Sequence, residues 1–112
     1  MAHFSTHVLD TTRGAPAAGV MVDLDALRGG ERQHLQTLTT GSDGRAGGPQ
    51  LETGSYELTF HAGDYFRAAG LKLPDPPFLD EVVIRFGIAD PAGRYHVPLL
   101  LAPYSYSTYR GS

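Results

Sequence analysis

Glycine and proline interrupt this chain at short intervals, so each regular element is limited to a few residues. The 14 glycines and 8 prolines fall singly or in pairs between apolar segments, where these residues mark turns. Apolar and polar side chains alternate within the segments 4–10, 20–26, 33–40, 56–60, 82–88 and 95–101, which is typical of strands with one buried face. Roughly seven or eight short strands at this spacing predict an all-β fold, a two-sheet antiparallel β-sandwich.

One further segment has helical spacing. Asp64 is the predicted N-cap, Tyr65, Phe66 and Ala69 form an apolar face, and Gly70 follows as the C′ residue. The sandwich is therefore predicted to carry one short helix.

Length and charge bound the class of protein. A chain of 112 residues fits one domain and leaves no room for a separate cofactor domain. The net charge of −3 argues against a nucleic-acid binder, which presents a basic surface to phosphates. There is no cysteine, no signal-peptide pattern and no apolar run of membrane-spanning length, so we expect a single domain, residues 1–112, in the cytoplasm.

Two predicted strands are apolar on both faces, although a strand of a two-layer sandwich needs only one apolar face. They contain residues 82–84 and 97–101. Another copy of the chain is the favoured cover for the second face in so small a domain, which predicts a symmetric oligomer. A loop of the same chain is the alternative cover.

The last residues are Tyr109, Arg110, Gly111 and Ser112, and they follow a leucine- and tyrosine-rich stretch. We predict a last strand that continues to the final residue, although most chain ends are disordered unless something holds them. A guanidinium fork, a phenol, a hydroxyl and a carboxylate held together would suit a planar, polar ring substrate. The alternative is an ordinary polar terminus.

Two of the histidines occupy positions of special interest. His7 and His96 lie inside predicted strands where a side chain is half buried, whereas His3, His34 and His61 are predicted surface residues. Imidazole titrates near neutral pH and serves as a general acid or base. Taken singly, however, a histidine in a strand is more often a packing residue.

No sequence pattern indicates a bound metal or nucleotide. There is no H-E-x-x-H motif, His61 and Asp64 have no third ligand at suitable spacing, and the glycine-rich segment 44–48 is neither a P-loop nor a dinucleotide fingerprint. A serine in a strand-to-helix elbow is also missing. The remaining histidines, arginine and serine are groups that activate water and stabilise an oxyanion.

Four segments taken in order resemble one family. They are Ser5–Asp10, Ser42–Arg45, Tyr95–Leu101 and Ser107–Ser112, and each alone is weakly specific. Together they resemble the 5-hydroxyisourate hydrolases, the transthyretin-related enzymes of urate breakdown.

The resemblance implies a transthyretin-like sandwich that forms a homotetramer, a dimer of dimers, with active sites between the dimers and no metal or organic cofactor. It also implies hydrolytic opening of the six-membered ring of 5-hydroxyisourate at an amide-like N–C bond. Imidazoles would position and deprotonate a water, guanidinium groups would stabilise the developing charge, and which imidazole is the base stays open. The implied catalytic residues are His7, Arg45, His96 and Ser112, and the implied substrate-binding residues are Tyr109, Arg110 and Gly111.

The chain departs from the family's usual pattern at Arg94, where a histidine is common, and at Ala102, where serine often precedes proline. Neither position is a functional one. Two other classes compete with the hydrolase. A transthyretin-like small-molecule carrier shares the fold, but its hormone-binding form is secreted and lacks the Tyr-Arg-Gly-Ser end. An interaction module without catalysis gives no reason for the histidines, Arg45 and the end to occur together.

Overall fold

The computed structural model describes residues 1–112. In chain order its elements are β1 (His3–Asp10), β2 (Ala15–Pro16), β3 (Met21–Arg28), β4 (Glu31–Thr39), β5 (Arg45–Gly47), β6 (Gly54–His61), α1 (Ala62–Ala68), β7 (Glu81–Ile88), β8 (Arg94–Ala102) and β9 (Ser105–Thr108). The helix α1 is not long or apolar enough to cross a membrane.

The strands form two sheets that pack face to face. The first, which we call the β1 sheet, has the order β2-β1-β8-β9, with β5 also paired to β1, and the second, the β3 sheet, has the order β4-β3-β6-β7. The predicted sandwich is confirmed. One strand pair differs from the prediction, because β1 and β8 run parallel. Parallel neighbours need a long connection, and here that connection contains the whole β3 sheet.

The core lies between the sheets. Val8 and Leu99 of the β1 sheet and Leu24, Leu58 and Phe60 of the β3 sheet are completely buried. Since successive side chains of a strand point to opposite faces, this burial sends the residues between them to the outer faces. The outer face of the β1 sheet therefore receives His3, Ser5 and His7 of β1, whereas the polar residues Thr6 and Asp10 are buried.

The helix begins earlier than predicted. His61 occupies the N-cap position without a side-chain cap, and Asp64 lies in the first turn. The backbone N–H of Gly63 donates to the carbonyl of Asp80 at 2.9 Å, so the connection before β7 satisfies a helix-start donor that a capping side chain would otherwise bind. Asp64 as the N-cap was a wrong prediction, although its charge suits the positive end of the helix.

The buried face of the helix also differs in one residue. Tyr65 and Phe66 are buried as predicted, but Ala69 is exposed and Ala62 lies in the core instead. The earlier start of the helix explains the change, because it brings Ala62 onto the same face as Phe66, one turn later. Gly70 has φ of +89° and is the predicted C′ glycine.

The strands with two apolar faces behave differently from each other. In β8, Val97 and Leu99 face the core, while Leu100 on the outer face is half buried. In β7, which is an edge strand, the outward Val83 is 46% exposed. Within one chain the second apolar face of β7 thus stays open to solvent.

The last strand does not continue to the final residue. β9 ends at Thr108, yet Gly111 resumes contact with β8 through an isolated bridge to His96. The pairing of Leu99 with Thr108 and the Gly111 bridge keep one register, so the two unpaired residues between them lie opposite Pro98 and Val97. Proline has no N–H to donate to a neighbouring strand, and this interrupts the ladder.

Candidate active site

The outer face of the β1 sheet, which we call the site face, collects polar side chains from distant parts of the sequence. In the parallel pairing of β1 with β8, His3 lies opposite Arg94 and Ser5 lies opposite His96. His7 is two residues further along β1 on the same face. Ser5, His7 and His96 are half buried, as predicted for the two histidines.

Arg45 reaches the site face through β5. It is the antiparallel partner of His7, and a tight turn delivers it there. The N–H of Gly44 donates to the carbonyl of Gly41 at 2.9 Å. A side chain at Gly44 is excluded, because its φ is +77° and an added Cβ would stand 2.5 Å from the carbonyl oxygen of Val8.

The two imidazoles approach each other without a direct bond. The ring centroids of His7 and His96 are 6.4 Å apart and the rings are inclined by 39°. Burial lowers the pKa of His96, and the nearby charges of Arg45 and His7 lower it further. His96 is therefore neutral at neutral pH, as a general base must be.

A hydroxyl holds the His96 ring in place. The Oγ of Ser5 lies 2.8 Å from the Nδ1 of His96. The sequence did not single out Ser5, because its contact with His96 depends on its parallel neighbour in β8. Its alternation with His7 puts both on one face, but nothing in β1 itself identifies β8 as the adjoining strand.

The chain end closes one side of the site. Gly111 donates its N–H to the carbonyl of His96 at 2.8 Å. Ser112 lies in an open cavity of about 350 Å³ beside the imidazole. The polar residues that line this cavity are His3, Ser5, Arg45, Arg94, His96 and Ser112.

Tyr109 and Arg110 lie apart from that cavity. They line a neighbouring cavity of about 400 Å³ that shares only Tyr95 with the first. The guanidinium carbon of Arg110 stands 4.2 Å from the centroid of the Tyr95 ring, and its Nη2 donates to the carbonyl of Arg94 at 3.0 Å. The structure thus brings His7, Arg45, His96, Gly111 and Ser112 together and places Tyr109 and Arg110 in the neighbouring cavity.

His61 is not the surface residue that the sequence predicted. It is half buried, and its Nε2 lies 2.8 Å from the Oδ2 of Asp23. This hydrogen bond raises the pKa of His61 against the opposing effect of burial, while Thr37 and His61 lower the pKa of Asp23. The pair belongs to the β3 sheet and takes no part in the site face. His3 and His34 are exposed as predicted.

Comparison with known proteins places this geometry in context. The model of the HIUase/Transthyretin family matches residues 4–111. A protein of Rhizobium meliloti named 5-hydroxyisourate hydrolase 2 is 61% identical over 96% of this chain and 94% of its own. The solved Klebsiella pneumoniae 5-hydroxyisourate hydrolase is 37% identical with a TM-score of 0.83, and each chain is covered completely. A solved (S)-allantoin synthase is 40% identical with a TM-score of 0.90, and the match covers 99% of this chain but only 44% of that one.

Proposed function

The chain belongs to the HIUase/Transthyretin family, and from this premise we propose that it is a hydrolase that opens the six-membered ring of 5-hydroxyisourate in urate degradation. The observation that carries the proposal is the convergence of His7, Arg45, His96 and the chain end on one face. These groups come from four separate parts of the sequence, and the fold brings them within reach of one small molecule.

His96 is the proposed general base. A base must be unprotonated at working pH, and the lowered pKa of His96 meets that requirement. The imidazole takes a proton from water as the water oxygen bonds to the ring carbonyl carbon. When the C–N bond breaks, the imidazolium returns the proton to the departing nitrogen, and the enzyme is restored. His7 lies across the gap from His96 and positions the water.

Arg45 supplies the fixed positive charge. Its guanidinium carries donors in a planar fork, which suits a ring oxygen that becomes negative during attack. Its place beside His7 in the sheet keeps it on the site face. The same charge helps to lower the pKa of His96, so one residue serves both the oxyanion and the base.

The residues from 109 to 112, which we call the tail, complete the proposed site. Ser112 offers a hydroxyl in the cavity, and Gly111 holds the tail against His96. Tyr109 and Arg110 remain in the proposed substrate-binding set. What supports their inclusion is Tyr95, because Arg110 covers its ring and the same residue also lines the cavity that contains Ser112.

The proposed assembly is a homotetramer, a dimer of dimers. β7 and β9 are edge strands, and an edge presents unpaired N–H and C=O groups that favour pairing with another chain. Val83 on β7 is 46% exposed and Tyr106 on β9 is 45% exposed, so both edges also offer apolar surface. We propose residues 1–112 as one domain because one core lies between the sheets. The cytoplasmic location stays a prediction from the sequence.

The test is the decay of freshly made 5-hydroxyisourate, which added protein should accelerate. His7→Ala, Arg45→Ala and His96→Ala should each lower kcat/KM by roughly a hundredfold or more, the usual scale for loss of an acid-base group or an oxyanion donor. His34→Ala is the control, because His34 is an exposed histidine on β4 of the other sheet. A His96→Ala protein with unchanged mass and near wild-type kcat/KM would contradict the acid-base role.

The pH profile gives a second test. The His96 pKa lies below its ordinary value of 6.5, so more than half of the base is still unprotonated at that pH. The kcat/KM of the wild-type enzyme should therefore fall to half of its plateau value only below about pH 6.5. A decline already complete at about pH 6.5 would contradict the assignment of His96.

A further inference from the structure

Three atoms of the His96 ring, Nδ1, Cδ2 and Nε2, have different surroundings. Nδ1 lies 2.8 Å from the hydroxyl of Ser5. The Cδ2 edge is covered by Gly111, where an added Cβ would stand 2.6 Å from Cδ2. Nε2 has no hydrogen-bond partner in the chain, and the ring lines the cavity. Of the two ring nitrogens, Nε2 is thus the one that remains free to meet a water.

Whether Nε2 carries the ring proton decides whether His96 presents a donor or a base to the cavity. Neutral imidazole has one N–H donor and one acceptor lone pair. If Ser5 donated to Nδ1, the proton of the ring would sit on Nε2, and the cavity would meet a donor instead of a base. If Nδ1 carries the proton and donates to Ser5, Nε2 presents a lone pair. A serine hydroxyl can accept or donate, so it accommodates the second arrangement.

We propose that Ser5 is a positioning residue that holds neutral His96 in the tautomer with the proton on Nδ1, leaving Nε2 to accept a proton from water. The inference rests on the proposed function, in which His96 is the base. Ser5 acts through His96, and its own hydroxyl proton remains available to a bound ring oxygen.

An uncharged partner suits this base. A carboxylate on Nδ1 would stabilise the imidazolium and raise the pKa of the ring, as it does for many catalytic histidines. The serine orients the ring without adding charge. The charged and titratable side chains around the cavity are His3 and His7 on β1, Arg45 on β5, and Arg94 and Tyr95 on β8. None of these side chains is a carboxylic acid, and the one carboxylate predicted there, that of Ser112, is not the partner of His96 Nδ1. The groups around the cavity thus favour unprotonated His96, and Ser5 keeps the lone pair of the His96 Nε2 directed at the cavity.

The register of the sheet supports the assignment independently. Ser5 and His96 are Cα partners in the parallel pair of β1 and β8, so their Cβ atoms lie on one face at neighbouring positions. On the other side of Ser5, the partner in β5 is Gly47, which has no side chain and no atom within 4 Å of an added Cβ. Ser5 therefore has His96 as its one side-chain partner.

The experiment combines kinetics with ¹⁵N NMR of histidine-labelled full-length protein. The wild type should show His96, assigned by the signals lost in His96→Gln, with a protonated Nδ1 and an unprotonated Nε2. Ser5→Ala should lose that single tautomer and lower kcat by roughly ten- to a hundredfold, the scale of a slightly misplaced reacting group, with little change in KM. Ser5→Thr keeps the hydroxyl and should restore both the tautomer and most of kcat.

Ser55→Ala is the matched control, because Ser55 is an exposed strand serine of the β3 sheet without a side-chain hydrogen bond. Oligomeric mass is compared for every variant. A wild-type spectrum with the proton on Nε2, or a Ser5→Ala enzyme with wild-type kcat and tautomer, would overturn the role of Ser5. A wild-type protein that shows the Nδ1–H tautomer but does not accelerate decay of 5-hydroxyisourate would overturn the proposed function and leave the tautomer assignment standing.

Discussion

At the scale of single residues, Gly111 shows how the absence of a side chain shapes the site. An added Cβ at this position would stand 2.6 Å from the Cδ2 of His96, a distance that real Cβ atoms essentially never show. Its N–H also donates to the His96 carbonyl. The tail can lie flat on the imidazole only because residue 111 is glycine.

Gly111→Ala should therefore displace the His96 ring or lift the tail from it. We expect kcat/KM to fall by roughly ten- to a hundredfold, as for other small misplacements of a reacting group, while the melting temperature changes little. Gly87→Ala is the control, because nothing lies within 4 Å of a Cβ added there. The steric argument fails if Gly111→Ala retains wild-type kcat/KM.

The His61–Asp23 pair predicts a pH-dependent contribution to stability. The folded-state pKa of His61 is raised above 6.5, so its contribution is complete below that value and is lost as the pH rises through the folded pKa. The folded-state pKa of Asp23 is lowered below 3.8, so its contribution is present above that value and is lost as the pH falls through the folded pKa. The pair thus contributes most between about pH 4 and about pH 6.5.

His61→Gln should accordingly lower the free energy of unfolding most in that interval, by about 1 kcal/mol or less for so solvated a pair. The difference from wild type should shrink at about pH 9. Denaturant unfolding at several pH values measures it, with exposed His3→Gln as the control. A difference that stays constant from about pH 5 to about pH 9 would contradict the linkage.

Residue-level prediction from sequence succeeded where strand alternation alone decides the outcome. His7 and His96 are half buried because each sits one residue from core positions of its own strand. Ser5 escaped notice because its partner comes from β8, 91 residues away. The prediction that His61 lies on the surface was wrong, because its burial depends on contact with Asp23 of the adjacent strand β3. Contacts between distant segments leave no local pattern.

At the scale of elements, the tail is held by contacts that replace the missing end of β9. Pro98 interrupts the ladder, and its carbonyl accepts the hydroxyl of Thr108 at 2.7 Å. Arg110 then stacks on Tyr95 and donates to the carbonyl of Arg94. The sequence predicted an ordered end but not this break, since the effect of Pro98 depends on which strand adjoins β8.

Arg110→Lys tests these contacts, because lysine keeps the charge and loses the planar fork that stacks and donates at once. We expect kcat/KM to fall by about tenfold or more with little change in melting temperature. Arg28→Lys is the control, since Arg28 is exposed and its ion pair with Glu52 is 3.9 Å long. Full kcat/KM in Arg110→Lys would show that the fork contributes neither to the tail nor to substrate binding.

At the scale of the whole molecule, the free edges of β7 and β9 are the surfaces through which we propose that the chain assembles. Light scattering coupled to size exclusion should report about four times 12.0 kDa. Val83→Lys places a charge on the β7 edge and should reduce the mass, because edge charges oppose strand pairing. Met21→Lys is the control, since Met21 is similarly exposed at 50% but lies on β3, inside its sheet. A wild-type protein that is monomeric at micromolar concentration would contradict the proposed tetramer.

The arrangement of the whole molecule was predictable only in part. Turn residues and alternation were enough to indicate two sheets and one helix. The parallel neighbours β1 and β8 were not foreseen, because hairpin signals report pairing between consecutive strands and carry no information about a pair that spans the chain.

The pairing of β1 with β8 also limits when a newly made chain can form its site. The imidazoles occupy β1 and β8, and the glycine that packs on one of them lies at residue 111. During translation, His7 emerges from the ribosome long before its counterparts and has no neighbouring strand to join. Contacts between such distant segments also make folding slow compared with a helical bundle of similar size. The site face is therefore complete only after residues 94–112 have left the ribosome and joined β1.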